Sequence, residues 1–321
     1  MKFIKALMIT GILAVSAILS GCGSKEEDKV LNIGYFNNVT HGQALYMKAT
    51  GALEEVMPED MSVSWTAFNA GPAEVEALFA GDIDLGYIGP VPAITANVRS
   101  DGDVMVLTGA SKAGAVLVKS AASGIESISD LEGKTIAIPQ IGNTQHLCLL
   151  KLLADNDLKT VENGGTVVVT AVENADVQNM MDQGNIDAAL VPEPWGTTLV
   201  SSGAEILLDY DEVYKEGDYP VAVVVVRKEF MEAYPEVVEN FLARHELATT
   251  HLTDNAKEAA VVVNKEINDS TGKSLTEDIL FGAFEKIEFA QDINEDAMKE
   301  FGDISVEQNF IKENYKEIFV K

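Results

Sequence analysis

Short apolar runs alternate with amphipathic stretches along most of the chain, the pattern of an α/β fold. Residues 30–35 predict a strand, and residues 41–56 carry Leu45, Ala49, Leu53 and Val56 at helical spacing. Val63, Trp65 and Ala67 alternate with polar residues and lead into Asn69-Ala70-Gly71-Pro72, where the proline suits the start of a helix. Residues 83–88 and 104–109 read as a third and a fourth strand. A second series begins near Ala115, with strands at 135–138, 166–169 and 188–191 and helices at 144–154 and 174–183. Residues 221–226 are continuously apolar, as in a strand buried on both faces. From Lys228 onward the pattern is helical only, broken near Pro235, Asn255 and Thr271.

One stretch has an echo. Leu78-Phe79-Ala80-Gly81-Asp82-Ile83-Asp84 ends a helix, enters a strand and runs on to Gly89-Pro90. About a hundred residues later Met181-Asp182-Gln183-Gly184-Asn185-Ile186-Asp187 does the same and reaches Pro192-Glu193-Pro194-Trp195. Two similar lobes would each present such a loop at the carboxyl ends of their strands, where α/β sheets bind ligands.

The N-terminus bears on location. Lys2 and Lys5 precede an apolar stretch, residues 6–18, and then Leu19-Ser20-Gly21-Cys22. A basic start, a short apolar core and small residues before a cleavage point predict a secretion signal over residues 1–21. Leu-Ser-Gly-Cys resembles the bacterial lipobox, which implies lipidation at Cys22 and a polar tether over residues 22–29. Cys148 is the only other cysteine, so a lipidated Cys22 leaves it without an intramolecular partner. Within Leu147-Cys148-Leu149-Leu150 a buried, inert thiol is expected. From Cys22 onward there are 21 basic and 51 acidic side chains, a net charge of −30. That balance excludes a nucleic-acid partner, which needs a basic surface, and makes an acyl chain the plausible tether to a membrane.

Catalytic and metal-binding patterns are missing: there is no G-x-S-x-G, no H-E-x-x-H, no phosphate-binding glycine loop and no paired-cysteine spacing. No cofactor, metal or catalytic residue is expected. His41, His146, His245 and His251 are scattered, and the last two fit a solvent-exposed helix. What remains is a set of strand-to-helix loops: residues 37–42, 69–72, 88–90, 140–144 and 193–195. Helix starts expose unpaired amides with partial positive charge and suit anions, and glycine lets a ligand approach the backbone. Asn37, Thr40, His41, Gly71, Tyr87, Gly89, Asn143, Thr144, Glu193 and Trp195 are the candidate ligand-binding residues. Structural alternatives stand beside several of them. Thr40, Asn143 and Thr144 can cap helices, His41 can face solvent, Trp195 can pack in the core and Glu193 can cap a loop. Tyr35, Phe36 and Phe68 join Tyr87 near strand ends, some lining a cleft and some packing beneath it.

The Gly71-Pro72 helix running into Ala80-Gly81-Asp82-Ile83-Asp84, with Gly89-Pro90 beyond, is similar to the nitrate, sulfonate and taurine binding proteins of ABC importers. Pro139-Gln140-x-Gly142-Asn143-Thr144-Gln145 and Val191-Pro192-Glu193-Pro194-Trp195 resemble the same group, the aliphatic-sulfonate or thiamine-pyrimidine-type superfamily. The resemblance implies a type II periplasmic-binding-protein fold. Lobe 1 would comprise residues 30–113 and 221–321, including a helical C-terminal region, and lobe 2 residues 114–220, with hinge strands near Gly114 and Val221. It implies a monomeric, extracytoplasmic binding protein that delivers a small solute to a permease and its ATPase, with Trp195 as a lid. His146 stands where this group often has an acid. None of the five loops contains Lys or Arg, and Glu193 would attract an amine. An aliphatic sulfonate or a taurine-like zwitterion is therefore expected, with nitrate or a thiamine-pyrimidine precursor as alternatives. An enzyme of the thiamine-pyrimidine synthase type is a weaker fit, because that synthase relies on a cysteine-rich motif that this chain lacks.

Overall fold

The computed structural model describes residues 29–321. The predicted signal, Cys22 and all but the last tether residue lie outside the described residues. The chain opens with β1 (Lys29–Phe36), α1 (Gly42–Thr50), β2 (Met61–Phe68), α2 (Gly71–Ala80), β3 (Leu85–Ile88), α3 (Pro90–Arg99) and β4 (Val104–Ala113). A second group follows: β5 (Ala115–Lys119), β6 (Thr135–Ile138), α4 (Thr144–Asp155), β7 (Val168–Ala171), α5 (Val177–Asp182), β8 (Ala188–Pro192), α6 (Trp195–Ser201) and β9 (Glu205–Leu208). The chain returns through β10 (Pro220–Arg227), α7 (Lys228–Ala233), α8 (Pro235–Asp254), α9 (Ala256–Thr271), α10 (Glu277–Phe284), β11 (Ile287–Phe289) and α11 (Glu295–Glu307).

The strands form two sheets, of order β11-β4-β10-β3-β1-β2 and β7-β6-β8-β5-β9. β1 pairs in parallel with β2 and β3, and β6 with β7 and β8. The chain crosses between the sheets at Ala113-Gly114, where both residues take positive φ, 57° and 74°. It returns at Tyr219-Pro220, beside the first crossing, where the Ala113 amide donates to the Tyr219 carbonyl at 3.1 Å.

Period-two alternation sends the first sheet's side chains to two cores. Leu31, Ile33, Tyr35, Leu85, Tyr87, Ala222 and Val224 pack with α1, α8 and α9 residues such as Leu45, Phe241 and Val263. Val223 and Val225 face the other way, toward Val75, Leu78, Ile94 and Phe301. This second core continues into the other sheet through Leu117, Ile136, Leu147 and Leu190. A valine-rich β10 is thus covered on both sides. The echoed segments coincide in detail. Asp84 Oδ2 accepts from the Asn32 amide at 2.9 Å, and Asp187 Oδ2 accepts from the Thr135 amide at 2.8 Å. Each clasp pins a strand entry against its parallel neighbour, and Gly81 and Gly184 turn just before it at φ 76° and 71°.

Several boundaries differ from the sequence expectation. The helix expected over 41–56 ends at Thr50, because Gly51 takes φ 68° as its C-terminal cap. The strand at 166–169 lies two residues later. The helix at 174–183 begins as a single 3-10 turn at Asn174–Asp176. The C-terminal part is not purely helical: β11 pairs with Ser111–Ala113 at the edge of the first sheet. Three residues are too few for periodicity to reveal.

Candidate functional site

The loops that leave the carboxyl ends of both sheets converge on one cavity. From the first sheet come Phe36, Asn38, Thr40 and His41 after β1, Asn69 to Gly71 after β2, Gly89 and Pro92 after β3, and Val221. From the second come Pro139 and Asn143 to Gln145 after β6, Asn174 after β7 and Pro192 at the end of β8. Helices α2, α3 and α4 begin here, and neither Ala70 nor Gly89 caps its helix with a side chain. Pro72, Pro90 and Pro92 carry no N–H, so the unpaired backbone donors at these starts reduce to Gly71 and Ala73 on α2, Val91 on α3 and the first two residues of α4, whose third amide Asn143 accepts.

No Lys, Arg, Asp or Glu lines this cavity among the described residues. His41 is neutral as well: burial lowers its pKa to about 3. Its Nδ1 accepts from the Phe36 amide at 3.1 Å, which leaves the proton on Nε2 as a donor. The ring stacks on Phe36 at 4.4 Å between centroids. Asn143 caps α4, its Oδ1 accepting from the His146 amide at 2.8 Å. Thr144 is buried, and its Oγ1 has no protein partner. The lobes touch here. A Cβ on Gly89 would sit 2.5 Å from Thr144 Oγ1, so glycine permits the approach. Gly71 is required for another reason, since a Cβ there would strike Pro92 at 2.3 Å.

Four candidates stand outside the lining. Tyr87 faces the opposite side of the sheet, into the core with Phe241. Its hydroxyl donates to His245 Nδ1 at 2.6 Å, and His245 Nε2 donates to the Gly109 carbonyl at 2.9 Å. His245 is accordingly buried and not solvent-exposed; burial lowers its pKa to about 4. Glu193 is fully buried, but its carboxylate accepts from the Thr197 amide and hydroxyl, each at 3.0 Å, and lies 3.4 Å from Lys286. Burial raises its pKa, with Thr197 and Lys286 opposing. This carboxylate joins the two lobes beside the crossing and offers nothing to an amine in the cavity. Trp195 donates from Nε1 to Asn38 Oδ1 at 2.8 Å, bridging the lobes at the cavity's edge. Asn37 lies beside the lining, with Oδ1 enclosed and unpartnered.

His146 turns away from the cavity. Its ring stacks on Phe310, Nδ1 accepts from the Gly142 amide, and burial lowers its pKa to about 4. Asn174 is a lining residue that sequence reasoning missed. Asn174 follows a strand of the second sheet and opens a helical segment, as the residues in the other strand-end loops do. That recurring position is the signal that could have found it.

Two α/β lobes joined by two adjacent crossings, with a polar cleft at their strand ends, define a solute-binding protein of the type II periplasmic-binding-protein fold. A family model described as the NMT1-like family matches residues 24–264, and the chain belongs to that family. The putative aliphatic sulfonates-binding protein of Escherichia coli (strain K12) is 33% identical over 227 residues, 69% of this chain and 67% of that protein. The taurine-binding periplasmic protein of the same strain is 35% identical over 184 residues, 56% of this chain and 54% of that relative's length. The alkanesulfonate-binding protein from Xanthomonas axonopodis pv. citri, solved with MOPS bound, superposes with a TM-score of 0.73. Its identity is 21%, covering 88% of this chain and 94% of the other, so that likeness speaks for the fold alone. The chain is an extracytoplasmic substrate-binding protein and not an enzyme.

Proposed function

We propose that this protein is the lipid-anchored solute receptor of an ABC importer and that its cleft takes a small organosulfonate. The carrying observation is the cavity's polarity. The starts of α2 and α4, a neutral imidazole N–H and an unpartnered hydroxyl meet in a lining without a charged side chain. A sulfonate spreads one charge over three oxygens, so several neutral donors can hold it without a cation. The names of the relatives point the same way. Contacts from both lobes would favour the closed form, which presents a composite surface to a permease.

Calorimetric titration against ethanesulfonate, 2-aminoethanesulfonate, nitrate and a thiamine-type aminopyrimidine tests the ligand class. Saturable binding of a sulfonate, at least about tenfold tighter than nitrate (~1.4 kcal/mol), is expected. Binding of the pyrimidine and of no sulfonate refutes the reading. The anchor rests on Leu19-Ser20-Gly21-Cys22. Cells fed a labelled fatty acid should label the wild-type protein and leave Cys22→Ala unlabelled; label on both would remove Cys22 as the site.

A further inference from the structure

The loop that opens α4 is tied by a reciprocal pair of hydrogen bonds. Asn143 Oδ1 accepts from the His146 amide at 2.8 Å, and His146 Nδ1 accepts from the Gly142 amide at 3.1 Å. This is a capping box displaced by one residue: the side chain in the third helical position reaches back to hold the entering chain. Glutamate or glutamine ordinarily fills that position. Here it is an imidazole, 7% exposed, with its ring stacked on Phe310 at 5.1 Å between centroids. Burial outweighs the neighbouring Glu162 carboxylate and keeps the ring neutral. Phe310 follows α11, so the ring is braced by a segment that returns to the first sheet, where Phe319 bridges to Val106.

An imidazole in place of a carboxylate matters because of what this helix start offers. The Thr144 and Gln145 amides open α4 without helical partners, and both residues line the cavity. The buried Thr144 Oγ1 beside them has no protein partner. Gly142 turns at φ 84°, and the bond to His146 fixes that turn and the direction of the donors after it. A carboxylate at the same position would accept the same N–H. It would also set a full negative charge against the partial positive end of α4 and cancel what draws an anion there. The neutral nitrogen holds the loop and leaves that field intact.

We infer that His146 is a positioning residue for the solute: it caps the binding loop without charge, so that the start of α4 keeps its attraction for the ligand's acidic group. The inference rests on the organosulfonate reading and deepens it by assigning the sulfonate to the start of α4.

Two variants separate charge from capping. His146→Gln and His146→Glu both supply an acceptor for Gly142 and differ in charge. Each is titrated with ethanesulfonate, and its thermal unfolding is followed without ligand. A carboxylate favours a helix start, so His146→Glu should melt at or above His146→Gln. Its ethanesulfonate affinity should nonetheless be lower by about fivefold or more, whereas a merely structural role would make affinity follow stability. Equal affinities for the two variants overturn the inference and leave the organosulfonate reading standing. Binding of no sulfonate by wild type overturns both. Nitrogen NMR of the wild-type imidazoles gives a check that needs no variant: at neutral pH His146 should carry its proton on Nε2, with Nδ1 bare. A proton on Nδ1 overturns the inference by itself.

Discussion

Glu74 lies inside the first lobe, fully buried on α2, and neither carboxyl oxygen has a hydrogen-bond partner. It fills space left open by two glycines on paired strands. A Cβ on Gly34 or on Gly86 would come within 2.3 Å of its Oε1. Burial without a counter-ion raises its pKa well above the ordinary 4.5, so the folded protein keeps it protonated while the unfolded chain ionises it. The folded state thus binds the extra proton, and the stability it contributes is lost as pH rises above 4.5. Glu74→Gln removes that titration. In denaturant unfolding at several pH values, the variant should gain on wild type by about 1.4 kcal/mol per pH unit above 4.5 until the wild-type carboxyl ionises. Parallel stability curves would show that Glu74 titrates normally. Sequence gives no sign of this role. Glu76, two positions on, is exposed and pairs with Arg99 at 2.9 Å, and the two acids look alike in Pro72-Ala73-Glu74-Val75-Glu76. The surroundings of Tyr87 and His245, partners across 158 residues, and of Glu193 beside the distant Lys286 are hidden in the sequence for the same reason.

At the scale of elements, legibility follows length and punctuation. β10 was plain because eight residues covered on both faces leave a continuous apolar run. The echo of Ile83-Asp84 and Ile186-Asp187 was legible, though its physical content was not. Both aspartates anchor the amide of the parallel neighbouring strand, reached from 52 residues earlier in each case. β9 and β11 escaped notice: four and three residues at sheet edges bury too little to leave a period. The helix starts at Gly71, Pro90 and Thr144 were readable from glycine, proline and asparagine, the residues whose backbone preferences set such starts. Much of the cavity lining is therefore legible in the sequence, whereas Asn174 sits on a short 3-10 turn with no glycine or proline to mark it.

At the scale of the molecule the lobes share the apolar core that runs from Val223 and Phe301 to Leu117 and Leu190, and around the cleft they meet through Asn38 with Trp195, Asn69 with Glu173, Gly89 against Thr144, and Lys286 with Glu193. None involves a disulfide, and Cys148 is a buried free thiol with its pKa pushed up to about 12.

The uncharged lining has a consequence for how fast solute arrives. A cavity without a cation exerts no long-range pull, and the chain around it carries a net charge of −30 from Cys22 onward. A purely anionic solute must approach against that field, whose reach shrinks from ~30 Å in 0.01 M salt to ~8 Å in 0.15 M. Stopped-flow association of ethanesulfonate should accelerate as salt is added, the reverse of ordinary electrostatic steering. 2-Aminoethanesulfonate, neutral overall, should be captured at a rate nearly independent of salt. A common salt dependence for both would place the rate-limiting step in lobe motion and not in the encounter. A receptor so built lets its acidic exterior screen what arrives and leaves its neutral interior to decide what stays.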